Sequence, residues 1–273
     1  MLAPMTAGAY AGKVVIVTGA STGIGRALCI ALAAERPRLV LAARDETRLH
    51  AAAEECRAKG AEALVVPTDV TEPERCRTLV ERAVAHFGGV DALVNNAGMS
   101  MWARFDEVQD LSVFEALMRV NYLSAVYLTH YALAELTRRR GQIVCVASLA
   151  GLTGVPTRTG YAASKHAMIG FFDSLRVELR GTGVDVTIVA PDFVVSEIHR
   201  RSLGPDGQPL GRTPMQESKI MTTEACARMI LDAMTHRRRL VVGSLRGKVG
   251  RWARLVSPGL IDRIAERAVR RGR

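Results

Sequence analysis

Lys13-Val-Val-Ile-Val-Thr18 runs directly into Gly19-Ala-Ser-Thr-Gly-Ile-Gly25, and a helical stretch follows to about Glu35. The first six residues are short, apolar and β-branched, the composition of a parallel strand buried on both faces. Glycines spaced Gly-x3-Gly-x-Gly permit a tight turn and close backbone approach. A helix opening behind them turns its free N–H groups and positive dipole end toward the turn, which suits a pyrophosphate. Alone, such a turn is as readily an ordinary glycine-rich connection. Its place after the first strand of an alternating chain gives it weight.

The alternation continues outward from there. Strands are expected at Leu39–Ala43, Leu64–Pro67, Ala92–Val94, Ile143–Ala147, Val184–Ala190 and Leu240–Val242. Helices are expected at Asp45–Lys59, Glu72–Phe87, Ser112–Arg139, Tyr161–Arg180 and Thr223–Thr235. This order predicts an α/β fold with a doubly wound parallel sheet and right-handed crossovers, helices layered on both faces. Residues 192–222 carry Gly and Pro and read as a long substrate loop. No linker or repeat interrupts residues 1–243, which are expected to form one domain, with 244–273 as an extension.

Composition narrows the function classes. The 273 residues are 48% hydrophobic and 23% charged, with a mean hydropathy of +0.11, ordinary values for a soluble globular chain. The first thirteen residues lack the charged and apolar regions of a secretory signal, and no uninterrupted apolar run is long enough to span a bilayer. Cysteines 29, 56, 76, 145 and 226 are scattered and odd in number, as in a reduced cytoplasmic protein. The histidines show no ligand spacing, so no metal is expected. Residues 1–235 balance 25 basic against 25 acidic residues, whereas residues 236–273 hold 12 basic residues against Asp262 and Glu266. The whole net charge of +10 therefore lies in the tail.

Tyr161-Ala-Ala-Ser-Lys165 places a phenol and an ammonium on one helical face, with Ser148 thirteen residues upstream. A free tyrosine has a pKa near about 10, and a neighbouring ammonium lowers it toward neutral pH. Ser148 can hold a substrate oxygen. The trio reads as an acid/base centre for interconverting a carbonyl and an alcohol. Tyr-x3-Lys alone is a weak pattern.

With Thr18–Gly25, Asp69, Asn95-Asn-Ala-Gly98, Asn121, Ser148 and Tyr161-x3-Lys165 all in order, residues 12–243 resemble the short-chain dehydrogenase/reductase family, in its compact single-domain branch. The resemblance implies a Rossmann-type three-layer α/β/α domain. It implies that Gly19, Ser21, Thr22, Gly23, Ile24 and Gly25 cradle the cofactor. Asp69 and Val70 would lie by the adenine, and Asn95, Ala97 and Gly98 would support the cofactor and the central strand. Lys165 would also bond the nicotinamide ribose, and Asn121 would hold a water that relays protons from Lys165. Read alone, Asn95–Gly98 is a strand-end turn, Asp69 a helix cap and Asn121 a polar mid-helix residue.

Cofactor choice is set at the end of the second strand, where an acidic residue would favour NAD(H). Ala43-Arg44 stands there instead, and Arg44 can form charge-assisted bonds with a 2′-phosphate. NADP(H) is therefore expected over NAD(H). The other reading is a solvated Arg44 paired with Asp45 or Glu46. After the sixth strand the family pattern has Pro-Gly; here Pro191-Asp192-Phe193-Val194-Val195-Ser196 puts a carboxylate at the nicotinamide end. Pro191, Val194 and Ser196 are the expected cofactor contacts there. Asp192 needs backbone that suits a residue with a Cβ.

Met99, Ser100 and Trp102, with Leu149 to Arg158 and the 192–222 loop, are the candidate substrate lining and suggest an apolar or lipid-like substrate. His199, Arg200 and Arg201 read mainly as a solvated basic face. Oligomerisation as a homodimer or homotetramer is implied through the helices around 112–139 and 161–180. In the tail, Ser257-Pro258 reads as a cap and first helical position. Leu260, Ile261, Ile264 and Ala268 share a face among Arg263, Arg267, Arg270 and Arg271, with Trp252, Leu255 and Val256 upstream. A basic amphipathic helix suits an anionic membrane surface. Docking on the body or a sister subunit, or a solubilising extension, remain open. No aromatic-basic platform supports nucleic-acid binding. A non-catalytic NADP-binding sensor or membrane-recruited scaffold on the same fold is the alternative function.

Overall fold

The computed structural model describes residues 8–213 and 220–271. Strands β1 (Val14–Thr18), β2 (Arg38–Ala43), β3 (Glu62–Pro67), β4 (Ala92–Asn95), β5 (Gln142–Val146), β6 (Asp185–Ala190) and β7 (Leu240–Val242) pair in parallel. Their order is β3-β2-β1-β4-β5-β6-β7. The chain winds one way from β1 to β3 and then restarts on the other side of β1. The crevice above the β1/β4 junction is where open sheets of this kind bind ligands. Val15 of β1 pairs with Leu39 on one side and Ala92 on the other, and every β1 residue is buried.

The helices are α1 (Gly23–Ala33), α2 (Glu46–Arg57), α3 (Pro73–Phe87), α4 (Ser112–Leu117), α5 (Ser124–Arg139), α6 (Thr159–Glu178), α7 (Thr223–Thr235), α8 (Leu245–Val256) and α9 (Pro258–Arg271). Alternation along β1 sends Val15 and Val17 to a core shared with α1, α2 and α7, and Val14 and Ile16 to one shared with α3, α5 and α6. Phe172 of α6 is fully buried in the second core. Burying such a side chain stabilises the fold by about 1.5–3 kcal/mol. Local signals agree with these elements. Pro73 opens α3, Gly88 closes it at φ +80°, and the side chain of Asp45 accepts from Arg48 N–H to cap α2. All five cysteines are buried free thiols. Burial pushes Cys56 up to about 11 and Cys76, Cys145 and Cys226 up to about 12. They are therefore poor nucleophiles at neutral pH.

Two expectations are corrected. The stretch Ser112–Arg139 is not one α-helix: Met118–Leu123 forms a π-helical turn, and Ser124 N–H reaches the Arg119 carbonyl five residues back. The tail holds two helices rather than one. The Trp252 cluster lies on α8, which the side chain of Ser244 caps by accepting from Gly247 N–H. Pro258 opens α9 as anticipated. Among the described residues, no helix is long and apolar enough to cross a membrane. In the 192–222 loop, residues 214–219 lie outside the described residues. The remainder is pinned by the bridges Val194↔Met221, Met101↔Leu203 and Leu203↔Pro209.

Candidate active site

The turn after β1 shows why its glycines are required. Gly19 has φ +65° and Gly23 φ +57°, a region that disfavours side chains. A Cβ on Gly25 would stand 2.3 Å from the Gly19 carbonyl oxygen. Ser21, Thr22 and Ile24 are partly buried on the same turn. Thr22 occupies the cap position of α1 without a side-chain capping bond, and no acidic residue lies in the first turn. The α1 N-terminus is thus open to an anion. Thr18 Oγ1 accepts from Asn96 N–H and Ala97 N–H, both at 3.0 Å, and locks the end of β4 against the turn. Asn95 below them is buried and donates to Thr129 Oγ1.

Arg44, directly beyond β2, is exposed. It makes no ion pair with Asp45 or Glu46, whose nearby partners are Arg48 and His50. Asp69 does not cap α3; its carboxylate accepts from Thr71 N–H and Oγ1 in a local turn. Partial burial raises the Asp69 pKa, but those bonds and the nearby Arg44 and Arg75 hold it below the ordinary value. Val70 beside it is buried.

Tyr161 lies in the first turn of α6 and Lys165 one turn on. Both are buried, Lys165 to 3% exposure. The Lys165 ammonium stands 5.9 Å from the Tyr161 ring centroid and donates to the Val146 carbonyl at 3.0 Å. Ser148 begins the loop after β5 and caps a short turn by accepting from Ala150 N–H. Asn121, in the π-turn, is fully buried. Its Oδ1 accepts from Met99 N–H at 2.8 Å, and its Nδ2 donates to Met99 O at 3.0 Å and to Ser164 Oγ at 2.8 Å. Ser164 Oγ in turn donates to the Tyr161 carbonyl. A Cβ on Gly98 would stand 3.2 Å from Asn121 Oδ1 and 3.7 Å from Lys165 Nζ, so the glycine keeps the space between them open.

The loop after β6 closes the crevice. Pro191 O accepts from Leu149 N–H, Val194 is buried, and Ser196 lies across from Gly23. Asp192 is accommodated without a positive φ: its carboxylate accepts from Phe193 N–H and from Ser244 Oγ at 2.8 Å. His199 is not on a solvated face but buried, its Nε2 3.0 Å from the Val194 carbonyl oxygen.

These features converge on the C-terminal edge of the sheet: a glycine turn, an open helix end and a buried Tyr-Lys pair whose lysine bonds Val146, two residues before Ser148. Residues 13–204 match the family model described as short chain dehydrogenase. The chain belongs to the short-chain dehydrogenase/reductase family. Among relatives of this dehydrogenase/reductase, an 11-beta-hydroxysteroid dehydrogenase of Pinus massoniana is 36% identical over 258 residues, 92% of this chain and 72% of that protein. A dehydrogenase/reductase SDR family protein 7-like of Dictyostelium discoideum is 33% identical over 259 residues, 93% of this chain and 80% of that protein. A short chain dehydrogenase/reductase from Burkholderia phymatum, solved in complex with NAD, superposes with a TM-score of 0.82. It shares 27% identity and covers 92% of this chain and 95% of that one. As a short-chain dehydrogenase/reductase the protein is an oxidoreductase acting on CH–OH groups with a nicotinamide cofactor. Sequence reasoning about this dehydrogenase/reductase missed the part played by Arg158. It is buried between Tyr161, Trp102 and Phe193, which only the fold brings together.

Proposed function

We propose that the protein is an NADP(H)-dependent oxidoreductase that interconverts a ketone or aldehyde and an alcohol on an apolar or lipid-like substrate. The observation that carries this reading is the buried Tyr161–Lys165 pair, whose lysine bonds the Val146 carbonyl two residues before Ser148. The turn fits a dinucleotide, because Gly19 and Gly23 hold it at positive φ, a Cβ on Gly25 would strike the Gly19 carbonyl, and the α1 N-terminus carries no competing cap. Gly19 through Gly25 hold the pyrophosphate, Asp69 and Val70 flank the adenine, and Asn95, Ala97 and Gly98 back the cofactor. Pro191, Val194 and Ser196 border the nicotinamide end. The bound nicotinamide supplies or accepts the hydride.

The chain's own residues manage the proton. In reduction Tyr161 protonates the substrate oxygen that Ser148 holds; in oxidation its phenolate removes the alcohol proton. The Lys165 ammonium attracts the negative charge that develops on Tyr161 in that direction. Lys165 also bonds the cofactor ribose. A water in the space that Gly98 leaves between Asn121 and Lys165 returns the proton to solvent.

The choice of NADP(H) rests on Arg44, exposed and without an ion pair among the described residues. Charge-assisted bonds contribute about 1.5–3 kcal/mol, which is about a 10- to 100-fold change in affinity. Arg44→Ala should weaken NADPH binding by that factor in a fluorescence titration and leave NADH binding nearly unchanged. Equal losses for both cofactors would remove Arg44 from the argument.

A second property rests on the tail. Leu245, Val249, Trp252 and Val256 follow helical spacing on α8 and are exposed, as are Leu260 and Ile264 on α9. Lys248, Arg263 and Arg267 are exposed around them. We read this as peripheral attachment of a cytoplasmic enzyme to an anionic membrane, with attraction of about 1 kcal/mol per basic residue. The protein should co-sediment with phosphatidylserine vesicles and not with phosphatidylcholine vesicles, and the Trp252 emission should shift to the blue. Sedimentation with neither lipid would leave docking on a sister subunit as the reading. Exposed Leu111 before α4 and Val177 on α6 suit a homodimer or homotetramer built through those helices.

A further inference from the structure

Arg158 immediately precedes α6 and is 5% exposed. Its guanidinium carbon lies 4.5 Å from the Tyr161 ring centroid, 5.3 Å from that of Trp102 and 5.4 Å from that of Phe193. One terminal nitrogen donates to Ser100 Oγ at 2.6 Å, and the buried Nε has no hydrogen-bond partner. Trp102, Phe193 and Tyr161 belong to three different segments leaving the C-terminal edge of the sheet. The guanidinium therefore lies against the ring that carries the reacting hydroxyl, where these segments meet.

This placement is unfavourable for the side chain by itself. Withdrawing a cation from water costs several kcal/mol unless a counter-charge compensates. Cation–π contacts return only about 0.5–2 kcal/mol each. Among the described residues no carboxylate pairs with Arg158. Burial pushes its pKa down, and the one ionisable group opposing that shift is Tyr161 itself. The helix end adds to the imbalance. No side chain caps α6, its first turn has no acidic residue, and Gly160 N–H meets only the sulfur of Met101, a weak acceptor. A positive helix end and a buried cation thus stand side by side, both calling for negative charge.

We propose that Arg158 and the open N-terminus of α6 bind an anionic group of the substrate, so that the enzyme acts on oxo or hydroxy acids. The carboxylate would lie close along the chain to the reacting carbon, and the rest of the substrate is apolar and packs on Trp102 and Phe193. This rests on the carbonyl–alcohol reading above and narrows its substrate class. The Arg158 fork can meet both carboxylate oxygens in one plane, which a lysine cannot.

The test pairs turnover with a binding measurement that needs no reaction. With NADPH, acetoacetate and its longer-chain homologues should be reduced with a kcat/KM at least about tenfold above that of the matching methyl esters. Arg158→Met should raise KM for the acids by about 10- to 100-fold, change kcat less, and bring the acid-to-ester ratio of kcat/KM toward one. Arg158→Lys should restore part of the acid preference. Octanoate, but not methyl octanoate, should perturb the Trp102 emission in full-length Trp252→Phe protein. Esters reduced as well as acids by the wild-type enzyme, or Arg158→Met losing both substrates equally, would overturn the proposal while the oxidoreductase reading stands. If Arg158→Met does not fold, the wild-type acid-to-ester ratio decides alone. Octanoate binding without turnover of any carbonyl would uphold the anion site and reject the reaction.

Discussion

Tyr161→Phe should lower kcat by about 100- to 10,000-fold, the usual contribution of a positioned acid or base. The change deletes one oxygen and keeps the ring. Arg158 and Lys165 keep their aromatic neighbour, at 4.5 and 5.9 Å from its centroid. The ring also keeps its place in the apolar cluster with Met101, Leu117 and Ala150. Fold and cofactor affinity should therefore persist, with a melting temperature close to that of the parent and an unchanged NADPH titration. The lost rate is then assignable to proton transfer. Turnover retained in that variant would sink the mechanism, because no other described group at the mouth of the crevice offers an acidic hydroxyl on α6 beside Lys165.

Asn121→Ala should be the most damaging substitution for the scaffold of the site. The amide satisfies both backbone polar groups of Met99 and also reaches Ser164. Alanine leaves the two backbone groups without these partners, and each unsatisfied buried group costs about 1–3 kcal/mol. A loss of about 3–4 kcal/mol follows, which in a chain of this size lowers the melting temperature by about 10 °C. Because Ser164 connects Asn121 to the Tyr161 carbonyl, the first turn of α6 should loosen as well, and kcat should fall even where the protein remains folded. Thermal unfolding and turnover measured on one preparation check both effects. A variant as stable as the parent would show that water replaces the amide at no cost.

The order of strands and helices was legible because buried parallel strands are β-branched runs and the glycine turn has few structural alternatives. Gly19, Gly25 and Gly98 were singled out by motif, and the geometry supplies the reason: a Cβ at each would strike the neighbouring turn or fill the space beside Lys165. The π-turn left no such trace. Met118–Leu123 has the composition of any helix interior, and only the pull of Asn121 toward Met99 distinguishes it. Arg158 was one residue among many before the tyrosine, because Trp102 and Phe193, which enclose it with Tyr161, are distant in sequence. Asp192 was visible as a departure, but its partner Ser244 lies 52 residues away. Helix α8 was obscured by Gly247 and Gly250, which weaken a helical pattern.

The π-turn also lets the chain carry an extra residue without losing the phase of its helix. A helix advances about 100° per residue. Wound at ordinary α pitch, the same six residues would turn further and swing everything downstream by roughly that angle. Ala125, Leu128, Ala132 and Leu136, which now face the sheet, would be rotated away from it. The extra residue acts as a phase shifter: it lets one continuous rod present Asn121 to the crevice and still lay its second half flat on β4 and β5.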